Sequence, residues 1–207
     1  EYSQCATLPA IFLQGATAVD AASALKISTT SKSQSTWVAL KEGYPELRIF
    51  TNKQNVLSGS GFASLVDKSW YDVNKSEFTL TDAADLYGFT LLSMDTDFSG
   101  KTIKLGASVT LNGGDADTFE TTAPDMPWLP INKFSGTFDG QGNSIKGVYV
   151  DSGDKVGLFS ETTKTTVVKN LKLEEAYING TSANGTGSIV GQGGGTFEAI
   201  YSDAIVK

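Results

Sequence analysis

The sequence predicts an all-β fold, a solenoid of stacked coils with one short capping helix near residues 81–94. Three observations predict it. The stretch Phe134-Ser-Gly-Thr-Phe-Asp-Gly-Gln-Gly-Asn-Ser-Ile145-Lys-Gly is a strand–turn–strand punctuated by glycine. Looser echoes of it recur downstream at offsets on the order of 20–30 residues, the size of one coil in a repeat architecture. The chain also carries 22 Gly against 5 Pro, with Ser and Thr abundant, a mixture that suits many short strands joined by tight turns. A recurring unit that cannot bury its own apolar face has to stack on its neighbours.

Residues 1–33 are small and weakly patterned, and Ala16 to Leu25 admits a short helix. Ser31 to Ser35 reads as a loop. Trp37 to Leu40 and Glu46 to Phe50 are strand-like and flank the turn Glu42-Gly-Tyr-Pro45. Thr51 to Gly61 is polar and glycine-bearing, which makes it a junction. Glu77-Phe-Thr-Leu80 is a strand. Thr81 to Met94 is the best helix, with Thr81 as N-cap, acidic residues in the first turn, and one apolar side built from Ala84, Leu86, Tyr87 and Leu91. Thr102 to Leu105 and Ser108 to Leu111 alternate apolar and polar residues, as half-buried strands do. Further on, Ile145-Lys-Gly-Val148, Val168-Lys-Asn-Leu171 and Phe197-Glu-Ala-Ile200 align with one another. Gly157-Leu-Phe-Ser160 aligns with Ser188-Ile-Val-Gly191. Ile200 to Val206 ends the chain on a strand-like coil whose edge can attract another strand.

Composition narrows function. The chain has 207 residues, 40% of them hydrophobic, enough for one elongated domain with a sizeable core. Its net charge is −7, and its lysines and arginines are scattered singly, which disfavours nucleic acid and anionic membranes as partners. There is no histidine, so Ser-His-Asp and Cys-His catalysis and histidine metal ligation are excluded. The single Cys5 rules out an intramolecular disulfide. No apolar run reaches membrane-span length. The chain opens on Glu1-Tyr2-Ser3 without a signal-peptide pattern, as a mature product or a slice of a longer protein would.

The candidate chemistry is sparse. Gly136, Gly140, Gly142 and Gly147 lack the Gly-Lys-Ser/Thr continuation of a phosphate loop and read as turns that need φ > 0. Asp95 and Asp97 resemble the first half of a calcium loop whose closing Glu is missing, so they are weak Ca²⁺ ligands, and no other cofactor is expected. Asp139, Glu174, Glu175 and Glu198 lie on successive coils, but polysaccharide cleavage needs two carboxylates in one cleft, one with a raised pKa. Asp139 reads instead as an acceptor of backbone hydrogen bonds in its turn. Tyr149, Tyr177 and Tyr201 lie on or beside successive coils and are the candidate ligand-binding residues, as an exposed platform for stacking sugars. Trp70 and Trp128 read as seals of the cap and core.

From Trp70 to Lys207 the chain resembles the β-helical bacterial surface modules that carry the GLUG motif. These occur in large surface or adhesin proteins and in flanking regions of immunoglobulin-A peptidases. The resemblance rests on Trp70-Tyr71, Phe78-Thr-Leu80, the helix from Thr81, Phe98 to Leu105, Trp128-Leu-Pro-Ile131, Phe134 to Ile145, and Val156-Gly-Leu-Phe159. Ser160 departs from the motif, which prefers Gly there. Trp37, Gly43-Tyr-Pro45 and Leu47 resemble the closing segment of such a module. The resemblance implies a right-handed parallel β-helix, an extracellular or cell-surface location and no catalytic set. It divides the chain into residues 1–55, the tail of a preceding module or a strand-exchange segment, and residues 56–207, the solenoid domain. The expected role is a non-enzymatic structural or adhesive module. Its partners would be the rest of a larger surface protein, neighbouring copies in a head-to-tail fibre, or host or environmental glycans. A carbohydrate-binding module is the alternative, and a polysaccharide-cleaving β-helix enzyme ranks below both.

Overall fold

The computed structural model describes residues 66–207, apart from Asp125, Ser152 and 182–184, together with the backbone of two short strands, β1 (Trp37–Val38) and β2 (Glu46–Leu47). The chain divides into two compact units, Glu1–Val66 and Asp67–Lys207. In the first, β1 and β2 pair antiparallel with Trp37 opposite Leu47, on either side of the expected turn. The expected helix at 16–25, loop at 31–35 and junction at 51–61 lie outside the described residues.

In chain order the second unit runs β3 (Glu77–Leu80), α1 (Ala83–Leu92), β4 (Thr102–Leu105), β5 (Val109–Thr110), a 3-10 turn (Ala116–Thr118), β6 (Ile131–Phe134), β7 (Thr137–Asp139), β8 (Ser144–Lys146), β9 (Tyr149–Val150), β10 (Phe159–Thr162), β11 (Val167–Glu174), β12 (Tyr177–Ile178), β13 (Val190–Gly193), β14 (Thr196–Ser202) and β15 (Ile205–Val206). Its strands pair only in parallel, across coils, and form a β-solenoid of about four turns with one short helix.

Register shows how the coils stack. One inward column runs Phe78, Ile103, Phe138, Val168, Phe197. A second runs Ile131, Phe159, Val190. A separate column, Tyr149, Tyr177, Ile205, packs against Phe119. Ile103, Phe138, Val168, Ile131 and Phe159 are wholly buried. Each such side chain contributes about 1.5–3 kcal/mol on leaving water, and only a neighbouring coil can bury it.

The expected alignment of Val168-Lys-Asn-Leu171 with Phe197-Glu-Ala-Ile200 is the observed register, as is Phe159 with Val190. Ile145 is different: it pairs with Leu173, and Val168 pairs with Phe138. Ile145-Lys-Gly-Val148 lies past a corner of its coil, on a limb that an apolar–charged–small–apolar pattern cannot distinguish from the limb before it.

The corners are made by residues in the left-handed region. Gln141, Asn170 and Ala199 have φ of 55°, 53° and 51° and recur at a step of about 29 residues. Two of the four motif glycines meet the expected need for positive φ, Gly142 at 80° and Gly147 at 74°. The other two are required by close approach instead. A Cβ on Gly140 would lie 2.4 Å from the Asn170 carbonyl oxygen, and one on Gly136 would lie 2.6 Å from that of Lys101.

Helix α1 starts one residue later than expected. Asp82 is the N-cap, accepting from the Asp85 amide at 3.0 Å. The Asp85 carboxylate in turn accepts from the Thr81 amide and hydroxyl at 2.7 and 3.0 Å. Asp82 thus satisfies one orphan amide of the first turn, and Asp85 reaches back to fix the residue before the cap. Nor does the helix have a single apolar side, since every residue from Asp85 to Leu91 is buried. The Asn132 amide of β6 donates to the Ser93 hydroxyl at the helix end. The helix therefore takes the place of a further strand beside β6.

Candidate functional site

The helix closes one end of the solenoid with aromatic rings. Phe89 lies 4.9 Å from Phe98, 5.6 Å from Phe134, 6.1 Å from Phe138 and 6.3 Å from Trp70, centroid to centroid. Trp70 and Tyr71 cover Phe78 of the first rung at 5.5 and 5.2 Å. Trp128 is buried, and its indole donates to the Leu158 carbonyl. Both tryptophans are thus seals.

The three candidate tyrosines do not form one platform. Tyr149 and Tyr177 are 7% and 2% exposed and stack on each other at 5.8 Å. Phe119, carried on the turn after Ala116–Thr118, covers Tyr149 edge-on, and Ile205 packs against the same cluster. Their faces are taken up by the protein. The Lys207 ammonium lies over the Tyr177 ring at 5.7 Å. Burial raises the Tyr149 hydroxyl pKa, and the Asp151 carboxylate beside it adds to the effect. Tyr201 is different. It is 53% exposed and sits in register with the exposed Lys172, so its ring faces solvent. The expectation of successive exposed tyrosines failed because Phe119 and Ile205 cover Tyr149 and Tyr177 in a cluster of their own, while Tyr201 stays exposed.

Asp139 occupies the structural role expected of it. It accepts from the Gln141 amide and from the Asn170 side chain, both at 3.0 Å, and the Lys169 ammonium lies 3.5 Å away. Burial opposes its ionisation, but these donors outweigh it and hold the carboxyl below its usual range. A carboxylate so held is a poor proton donor at neutral pH. Glu175 accepts from the Ala116 amide and tethers the loop that carries Phe119. Asp95 and Asp97 are exposed; the Asp97 carboxylate accepts from the Ser99 amide, closing the turn before β4. Among the described residues no three acidic or cysteine side chains gather as metal ligands.

One feature was not legible in the sequence. On the outer face, Lys104, Asp139, Lys169 and Glu198 share one column and alternate in sign from coil to coil. Glu77 adds a further carboxylate at the closed end, 2.7 Å from Lys104. The alternation could have been found only by knowing the register. The last coil has the open edge expected of Ile200 to Val206. Among the described residues β13, β14 and β15 each pair on one side only, and Phe197, Tyr201 and Val206 are 42%, 53% and 42% exposed. Phe138 and Val168, in the same column as Phe197, are wholly buried.

No helix among the described residues is long and apolar enough to cross a membrane. No family model and no solved structure matches the chain. A stretch of 75 residues, 35% of the chain, is 35% identical to part of Halomucin from Haloquadratum walsbyi, and that stretch is 1% of Halomucin's own length.

Proposed function

We propose that the chain is a non-enzymatic structural or adhesive module of an extracellular surface protein, a β-solenoid of the GLUG-motif kind. The observation that carries this reading is the commitment of its side chains to stacking. Inward columns run from coil to coil, the outer charges pair along the same axis, and Asp139, the most enzyme-like carboxylate, is held ionised by its neighbours. The partial likeness to Halomucin supports a place within a much longer protein. The test is incubation with a panel of acidic polysaccharides. No released product is expected, and product release that Asp139→Asn abolishes would overturn the reading.

Carbohydrate binding is the second reading, and the solvent-facing ring of Tyr201 favours it. Retention on a glycan array that is lost in Tyr201→Ala, with thermal stability unchanged, would establish it. An array without retained glycans would remove it.

A further inference from the structure

Lys104, Lys155, Lys169 and Lys207 each pair with a carboxylate, from Glu77, Glu161, Asp139 and Glu120 respectively. Lys101 is gripped differently. Its ammonium donates to two main-chain carbonyls, that of Val73 at 2.9 Å and that of Lys75 at 2.7 Å. It also lies over the rings of Tyr71 and Phe78, 5.6 Å from each centroid. Two carbonyl dipoles and two π faces converge on one point. That is the chemistry that takes a primary ammonium ion, with N–H donors for the oxygens and a compact charge for the rings.

Other contacts hold both sides of this cage in shape. The Asp72 carboxylate accepts from the Asn74 amide and side chain, and the Lys75 amide donates to the Asp72 carbonyl, which folds 72–75 into a turn. The Tyr71 and Phe78 rings lie 5.2 Å apart, and Trp70 packs on both edge-on. Across from them, Phe98 and Gly100 take φ of 56° and 70°, and the Lys101 amide donates to the Phe98 carbonyl. This tight turn sends the Lys101 side chain back to carbonyls 28 and 26 residues earlier. A bulky residue such as Phe98 adopts the left-handed region only where its surroundings impose it.

We propose that the closed end contains a binding site for a primary alkylammonium ion, which the chain fills with its own Lys101, and that this occupancy latches residues 71–76 over the first rung. The tether keeps the ammonium at a high effective concentration beside the cage, so free amines do not compete with it. Without the cation, two carbonyls and two ring faces lose their common partner, and the segment lifts.

The test is limited trypsin digestion of the full chain and of Lys101→Ala, its fold checked by circular dichroism, with cleavage after Lys75 followed by mass spectrometry. Lys101→Ala should be cut there at least ten-fold faster. Added n-propylammonium, the fragment that the substitution removes, should restore the slow rate, whereas tetramethylammonium at the same ionic strength, a cation without N–H donors, should not. An unchanged cleavage rate, no rescue, or equal rescue by both salts would overturn the proposal. A measurement on the unmodified chain needs no variant: with limiting acetic anhydride, Lys101 should be acetylated at least ten-fold more slowly than the exposed Lys164. Equal acetylation of the two would overturn the proposal as well. These readouts involve neither polysaccharide nor glycan, so the latch and the structural reading stand or fall separately.

Discussion

The two ends of the solenoid are built on the same column and treated oppositely. At the closed end Phe78 lies beneath Trp70 and Tyr71, and Phe89 from the helix fills the space over Phe98, Phe134 and Phe138. At the open end Phe197 holds the equivalent inward position and is 42% exposed. The chemistry of the column residue is the same in both places, phenylalanine in each, so burial is conferred by the neighbour and not by the rung. That is the nearest-neighbour logic of a stacked repeat seen in one molecule.

The comparison is broken most severely by removing the ring that seals the closed end. Phe89→Ala is expected to cost about 3–5 kcal/mol in urea denaturation, because a wholly buried aromatic leaves a cavity. Phe197→Ala, on the same measurement, should cost no more than about 1 kcal/mol, since much of its ring is already in water. Equal costs would mean that the open end is covered in solution.

Next in size is Asp139, which ties the corner at Gln141 and Asn170 to Lys169. Asp139→Ala should cost about 1–3 kcal/mol through the hydrogen bonds it strands. Its folded pKa is depressed, so its contribution is fully present above the unfolded carboxylate value of about 3.9 and is lost as pH falls through the folded pKa. Stability measured from pH 6 down to pH 2 should therefore fall less steeply in Asp139→Asn than in the parent chain. Parallel curves would remove the tie.

The smallest effect is a gain. Ala199 pays for φ of 51° with its Cβ, and Ala199→Gly should stabilise the last coil by about 0.5–1 kcal/mol, read as a rise in melting temperature. A loss would mean that the corner relaxes away from the left-handed region.

Much of the stack is legible in the sequence. The motif around Phe134 to Ile145, the strands at 77–80 and 102–105, and the match of Val168 with Phe197 come from local pattern, and local pattern is where a repeat stores its information. The pattern does not report which limb of a coil a short apolar pair belongs to, and so Ile145 was set against Val168 and not Leu173. It does not report cover either. Tyr149 and Tyr201 are the same residue type, and only the loop that carries Phe119 separates the buried ring from the exposed one. The corner at Gln141 was legible from the glycines that flank it, but the one at Ala199 was not, because alanine does not favour φ > 0, whereas Asn170 at least permits it. The closing helix was legible as a helix, but its burial on all sides was not, because that depends on the rings that surround it.

One consequence follows from the step of about 29 residues between β11 and β14. Adjacent strands sit about 4.8 Å apart, so each coil advances the rod by that distance. The same residues drawn out as a single extended strand would span nearly 100 Å. A protein that needed only reach would not fold this way. Material here goes into girth, and the bending rigidity of a uniform rod rises as the fourth power of its radius. A stack built this way is short for its mass and spaces the side chains on its flank at intervals of about 4.8 Å.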